Sequence, residues 1–529
     1  MPISGKLYIN GQWIEGLAGT FQPVNPATGS SLEPVMTMAT AEQVEKAVVA
    51  AAAAAPLFRN SSLEMRAGFL EACANEIMAI GGELVTRVSE ETGYPAGRGE
   101  MERARTCNQL RLFAASIRSG DQLDARIDTA LPERQPPRPD LRSVKQAIGP
   151  IAVFGASNFP LAFSVAGGDT AAAFAAGCPV LVKGHSSHPG TSELVAQAIA
   201  RAQKQCGLPA GVFSLLMGAG AEVGAALVQA PEVQAVGFTG SYAGGMALVA
   251  LSNARPEPIT VFAEMGSINP VFLLPQALQQ NAESIAQGFF TSLTMGTGQF
   301  CVNPGLVIAI DDESLAAFLE KAADLINACQ AGVMLNNRIS TTYAKGLESF
   351  LAEKEVALIA SGSEVNTQDG FCGQAALVST SAECFLANPK IHEEVFGPVS
   401  LVVKCKDRKD MIAVLAALKG QLTGTVHAAQ GELDQYRDLL DQLSVMVGRI
   451  VINGFPTGVE VCHAMVHGGP HPASTDSRFT SVGTSAVDRF LRPVCYQNCP
   501  EVLLPEALLD ANPLGLCRLI NGERSTAAL

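Results

Sequence analysis

The sequence predicts an α/β fold: a doubly wound parallel sheet, a second α/β domain, and a small bridging element. Three observations carry this. Between Gly149 and Ala263, five short apolar runs alternate with helical stretches, and each run ends in a loop rich in glycine or hydroxyl residues. Strand–helix alternation of this kind builds a parallel sheet with ligands at the carboxyl ends of its strands. The alternation resumes between Val271 and Asn453. With 529 residues, 48% hydrophobic and 16% charged, the chain has enough apolar material for two large cores.

The elements follow in order. Residues 6–14 form two alternating runs around Asn10-Gly11, a tight-turn pair, and predict a hairpin. Thr40 is placed to cap a helix through the alanine run 50–55. Further helices are expected over 63–80 and 100–117, and the four prolines between 130 and 140 force an excursion from regular structure. The five runs of the first sheet are 151–154, 179–183, 212–216, 234–238 and 259–263. Strands of the second domain are expected at 271–274, 306–310, 399–404, 422–426 and 449–453. From Val487 on, strand-like pieces broken by proline suggest a tail that packs on a neighbouring subunit.

Composition excludes several roles. A net charge of -14 argues against nucleic acid or an anionic membrane as partner. Thirteen scattered cysteines lack a paired Cys/His set for zinc, so no metal is expected, and they suit a reducing compartment. The most apolar stretch, 164–182, is broken by Gly167-Gly168-Asp169 and reads as a buried helix and strand rather than a membrane span. The first residues lack the charged-then-apolar order of a signal peptide, and a cytoplasmic protein is expected.

The chemistry concentrates in Met295-Gly-Thr-Gly-Gln-Phe-Cys-Val-Asn-Pro304. Its glycines allow close approach of the backbone, and Cys301 is presented as a nucleophile or packed as a structural thiol. Glu264, ending a strand before Gly266, is a general base or a paired surface carboxylate. Asn158 in Ser157-Asn-Phe-Pro160 is an oxyanion donor or a turn residue. Lys183 ends a buried strand; its head is at the binding edge or simply solvated. Gly218-Ala-Gly-Ala-Glu-Val-Gly224 is only a loose phosphate-turn pattern, while Phe238-Thr-Gly-Ser241 offers amides at a helix N-terminus.

In order, Ser-Asn-Phe-Pro, Lys183, Phe-Thr-Gly-Ser, Glu264-Met-Gly, Gly-Gln-Phe-Cys301 and Glu394-Val-Phe-Gly-Pro398 form a series that resembles the aldehyde dehydrogenase superfamily. The resemblance runs from about Tyr8 to Asn453. It implies Cys301 as nucleophile, Glu264 as general base and Asn158 as oxyanion donor. It also implies Lys183 and Ser186 at the adenosine ribose, Gly220, Gly224 and Ser241 by the pyrophosphate, and Glu394 and Phe396 at the nicotinamide ribose and ring. The implied domains are 1–125 with 148–266 for the dinucleotide, 267–485 for catalysis, and 126–147 with 486–529 as bridging arm and tail. A homodimer or homotetramer is the implied assembly.

Two departures refine the reading. The usual Lys-Pro-Ser-Glu is Lys183-Gly-His-Ser186 here, and the usual late glutamate is replaced by Val461-Cys-His-Ala-Met-Val-His-Gly-Gly-Pro-His-Pro472. Together with Arg489-Phe-Leu-Arg-Pro-Val-Cys-Tyr-Gln-Asn498, these variants resemble the branch of 2,5-dioxopentanoate dehydrogenases and some bacterial long-chain aldehyde dehydrogenases. An uncharged Ser186 does not repel a 2'-phosphate, so NADP is expected, with NAD possible. His463 is the candidate to take over acid–base work, and Arg111 on the 100–117 helix the candidate to hold a substrate carboxylate. The expected reaction is oxidation of 2,5-dioxopentanoate to 2-oxoglutarate. The alternatives are a long-chain fatty aldehyde, and a binding protein that retains the fold without the chemistry.

Overall fold

The computed structural model describes residues 2–364 and 370–529. Its first sheet runs Thr260–Glu264, Ala235–Thr239, Ile151–Phe154, Val180–Lys183, Phe213–Leu216, Leu7–Ile9, Gln12–Ile14. The five central members are parallel, and the N-terminal hairpin extends the edge antiparallel through Tyr8 opposite Leu215. Asn10 at φ 47° and Gly11 at φ 78° supply the two left-handed residues that a tight hairpin turn needs. The second and third parallel strands lie on one side of Ile151–Phe154 and the fourth and fifth on the other. This reversal opens a crevice at the carboxyl ends of Ile151–Phe154 and Ala235–Thr239, where ligands bind such sheets.

Local signals place the helices. Thr40 and Gln43 form a reciprocal capping box at the start of Ala41–Arg59. The helix expected at 100–117 is longer, Ala96–Ser119; it starts after Pro95 and stops at left-handed Gly120. It packs along Leu63–Ala79 on the outside of the first sheet.

The second sheet runs Ala357–Ser361, Ala376–Ser381, Val399–Cys405, Leu306–Ile310, Pro270–Leu273, Gln421–His427, Val447–Ile452. Only the first pair is antiparallel. The proline-rich excursion is closed by a bridge between Leu131 and Arg138. The flanking strands Arg126–Asp128 and Leu141–Ala147 join Leu491–Gln497, Arg518–Ile520 and Glu523–Ser525 in a third sheet. The tail therefore pairs with the arm of its own chain, from Leu491 opposite Ala147 to Gln497 opposite Leu141, where the sequence suggested packing on a neighbouring subunit. Pro493 is tolerated because Leu491–Gln497 is an edge strand.

One connection positions the site. The chain leaves the first sheet at Glu264 and enters the second at Pro270. The short segment Ala473–Thr475 straps this seam: Met265 N–H donates to Ala473 O at 2.8 Å, and Thr475 N–H to Ala263 O at 3.1 Å. Among the described residues, no helix is long and apolar enough to cross a membrane.

Candidate active site

The loop carrying Cys301 is held in an unusual shape. After helix Pro275–Thr294, residues Gly296, Thr297 and Gly298 take φ of 56°, 57° and 65° in succession. Glycine adopts this freely, but a β-branched threonine does so only when its surroundings impose it. Thr297 is packed against the bare backbone of Gly332, where an added Cβ would sit 2.3 Å from its Oγ1. Gln299, fully buried, staples the loop: Nε2 donates to Gly296 O at 3.1 Å and Val333 O at 3.2 Å, and Oε1 accepts from Leu335 N–H at 2.9 Å. From the seam, Asn269 (φ 48°) donates through Nδ2 to Cys301 O and Asn303 O, both at 2.9 Å. The backbone around Cys301 is thus pinned from the seam and from residues 333 and 335.

Three reactive groups converge here. The Cys301 thiol, His467 Nε2 and a Glu264 carboxylate oxygen all lie within 4.8 Å of one another. Cys301 Sγ is 3.4 Å from His467 Nε2, and that nitrogen is 2.9 Å from Glu264 Oε1. Ser481 Oγ donates to Glu264 Oε2. Burial alone would push the Glu264 carboxyl up, but His467, Ser481 and the thiol outweigh it, and the group sits below the usual carboxylate range. The Cys301 thiol is pushed well up, first by burial and then by the charge of Glu264 and its hydrogen bond. The resting site therefore pairs a protonated thiol with an ionised carboxylate, and an imidazole sits between them. Asn158 is buried; it donates one Nδ2 hydrogen to Gln299 O at 2.9 Å, which orients the amide and leaves the second hydrogen for another acceptor.

The first sheet reaches this cluster through Glu264, the last residue of its edge strand Thr260–Glu264. Gly220 opens a short helical turn, Gly220–Gly224, and a Cβ there would meet nothing within 4 Å. Gly224 packs close on Phe154, 3.0 Å from a built Cβ to its Cε1. Ser241 caps helix Tyr242–Asn253 by accepting from Gly244 N–H at 3.2 Å. Lys183 ends its strand half-buried, which pulls its ammonium pKa down, and Ser186 is exposed beyond it. Glu394 closes over Gly266, where a Cβ would lie 2.1 Å from Glu394 Oε2. Its side chain opens on the cleft, yet the surrounding protein strips enough solvent to push the carboxyl up to about 7. Glu394 and Phe396 share one cavity with Ser267, Phe300 and Asn303, beside Cys301. The capped helix N-terminus at Ser241 and the open glycine at 220 leave backbone room at the carboxyl ends of the strands, where such sheets bind dinucleotides.

Residues 13–492 match the family model described as "Aldehyde dehydrogenase family". The chain belongs to the aldehyde dehydrogenase family. It is 51% identical over 525 residues to "Alpha-ketoglutaric semialdehyde dehydrogenase 2" of Azospirillum brasilense, covering 99% of this chain and 100% of the relative. It is 47% identical over 523 residues to "Alpha-ketoglutaric semialdehyde dehydrogenase" of Acinetobacter baylyi, covering 98% of each. Among solved structures, betaine aldehyde dehydrogenase of Staphylococcus aureus in complex with NAD+ superposes with a TM-score of 0.82 at 20% identity, over 94% of this chain and 95% of that one. Likeness at that identity speaks for the fold.

Two residues expected at the site of this aldehyde dehydrogenase are elsewhere. His463 is exposed, with Nδ1 3.3 Å from Thr484 Oγ1. The chain turns four residues later, and His467 enters the cluster, its N–H held by Thr480 Oγ1 at 2.8 Å and its carbonyl by Ser481 N–H at 2.8 Å. Gly468-Gly469 is the signal that separates the two histidines: a Cβ at Gly469 would lie 2.2 Å from Gln421 O, so this end of the segment must pass through packed protein. Arg111 is exposed and bonds Asn75 Oδ1 at 3.2 Å. Six residues earlier, a helix presents a face turned by about 120°. There Arg105 lies half-buried, its guanidinium 5.2 Å from the Phe163 ring centroid. Asn269, Gln299, Ser481 and His467 are the supporting residues that sequence reasoning did not find.

Proposed function

We propose that this aldehyde dehydrogenase oxidises 2,5-dioxopentanoate to 2-oxoglutarate through a thioester on Cys301. What carries the reading is the converged Cys301, His467 and Glu264 set, in a chain 51% identical along its full length to a relative named for that semialdehyde. Cys301 Sγ attacks the aldehyde carbon, and the thiol proton passes to His467 Nε2, which leaves the Glu264 carboxylate ionised. The resulting oxyanion faces the free Asn158 amide hydrogen and the Cys301 backbone N–H, donors already fixed in direction. Bound nicotinamide supplies the hydride acceptor. Glu264, still ionised, then takes a proton from water, which attacks the thioester carbon, and the Cys301 sulfur leaves as it regains its proton from His467. A panel of 2,5-dioxopentanoate, succinic semialdehyde, hexanal and decanal tests the substrate; a higher kcat/KM for decanal than for both acidic aldehydes replaces this reading with a fatty-aldehyde one.

His467 is placed to hold Glu264 ionised as well as to pass the proton. His467→Asn is expected to lower turnover about a hundredfold, the scale of one positioned acid–base group. It also removes a neighbour that lowers the Glu264 pKa, so the acid limb of kcat moves to higher pH. A pH–rate profile whose acid limb stays in place removes His467 from this role.

For the cofactor, NADP is favoured over NAD. The support is local: Ser186 carries no charge, while Lys183 and His185 lie beside it with exposed Arg338 close to His185. A 2'-phosphate gains cations there and meets no carboxylate at position 186. The kcat/KM ratio is expected to favour NADP by roughly tenfold, about the free energy of one charge-assisted contact. A ratio favouring NAD by the same factor ends this assignment. The thirteen thiols, with none joined in a disulfide among the described residues, support a cytoplasmic setting, and the arm–tail sheet supports a homo-oligomer.

A further inference from the structure

The approach to Cys301 is lined by Phe159, Phe300 and Val459, an apolar cluster that by itself would admit any aldehyde. Three guanidiniums stand around it, and their partners differ. Arg98 lies within 5.0 Å of the ring centroids of Tyr94, Phe159 and Phe300, and its Nε is 3.7 Å from Glu102, so its charge is already answered. Arg449 is spent on the carbonyls of Gly458 at 3.0 Å and Pro456 at 2.5 Å. Arg105 is different. Arg98 Nη2 and Arg449 Nε are buried without a partner too, but of the three Arg105 alone has neither an ion pair nor a second acceptor residue: its Nε and Nη2 share the single carbonyl of Val459, at 3.4 and 3.2 Å, and its Nη1 is buried with no hydrogen-bond partner. Among the described residues it makes no ion pair, and burial pulls its pKa down against the charges of Glu102, Glu460 and Glu264. A half-buried guanidinium with one long, shared acceptor and a buried idle donor leaves hydrogen-bonding capacity that an anion would complete.

We propose that Arg105 receives the carboxylate of the aldehyde substrate and sets specificity for short aldehydes with an acid at the far end. The inference rests on the acidic-substrate reading above. The planar fork of Arg105 can donate to both oxygens of a carboxylate, and the Phe163 ring, 5.2 Å from its centre, helps fix the guanidinium in place. Val459 is both the acceptor of Arg105 and part of the apolar lining. Exchanging that carbonyl for the substrate carboxylate therefore couples recognition to the loop that follows Asn453. Because the contact is remote from the reacting carbon, it acts on ground state and transition state alike and governs KM more than kcat.

The test compares wild type, Arg105→Gln and Arg105→Lys on 2,5-dioxopentanoate, succinic semialdehyde and hexanal. Arg105→Gln is expected to raise KM for the acidic aldehydes about 10- to 100-fold, the usual worth of a charge-assisted pair, with kcat little changed. Hexanal kinetics should be the same in all three proteins, which also shows that the loop remains folded. Arg105→Lys should recover part of the loss, since it restores charge but not the fork. Equal losses on hexanal and on the acids, or an unchanged KM for the acids, overturns the proposal. If wild type favours succinic semialdehyde and Arg105→Gln erases that preference, Arg105 stands while 2,5-dioxopentanoate falls as the substrate. A wild type that favours hexanal over both acids overturns the two together.

Discussion

Cys301→Ala is expected to abolish aldehyde oxidation, with a loss of roughly a thousandfold or more, since without the sulfur there is no covalent adduct from which hydride can leave. Cofactor affinity should change little, because the crevice residues Gly220, Ser241 and Lys183 belong to the first sheet and its loops, while Cys301 sits on the loop entering Leu306–Ile310. Folding should also survive: the loop is pinned by Gln299 and Asn269 through backbone atoms that the substitution leaves alone. Steady-state assay together with cofactor titration checks both halves. Other thiols give a strong control. Cys73, Cys107, Cys178 and Cys405 are buried, and among the described residues only Cys301 belongs to a converged group of three Cys, His or carboxylate side chains. A variant that keeps a tenth of wild-type turnover would mean that one of the remaining twelve does the chemistry.

The reasons some of this was legible in the sequence are physical. Asn10-Gly11 announces its hairpin because the turn needs two left-handed residues and these two tolerate it. Fully buried parallel strands read as short apolar runs, so 151–154 and 306–310 fall where expected. Cys301, Glu264 and Asn158 stand out because each sits in a loop or strand end that local chemistry marks. The hidden parts depend on distance in sequence. His467 meets Glu264 only after some two hundred intervening residues have built the second sheet, and nothing near His463 or His467 says which one turns inward except the packed Gly468-Gly469. Arg105 and Arg111 share one helix, and the sequence does not reveal which face looks at the cleft. The arm and tail are each weak strands; only their pairing across Leu491 and Ala147 makes a sheet.

Glu264→Gln separates the two halves of the reaction. The amide keeps the shape and can still accept from Ser481, but it cannot take a proton from water. A first turnover of cofactor reduction is expected to persist, followed by a steady state slowed about a thousandfold, the upper range for loss of a general base. The acyl-enzyme should then accumulate and be seen as the added mass of the acid on Cys301 after quenching. The pH dependence supplies an independent sign. In the wild type the Glu264 carboxyl lies below its ordinary range, so thioester hydrolysis should hold steady from neutral pH down and fail only as pH drops through that depressed value. Burial raises the Cys301 thiol first, and the negative charge and hydrogen bond of Glu264 raise it further. Removing the charge leaves burial but lifts the second cause, so the thiol pKa falls. Alkylation of Cys301 by iodoacetamide, followed against pH, should shift toward lower pH in Glu264→Gln. A shift toward higher pH would mean that Glu264 favours the thiolate by drawing off its proton, and its main work would then lie in forming the adduct rather than in releasing the acid.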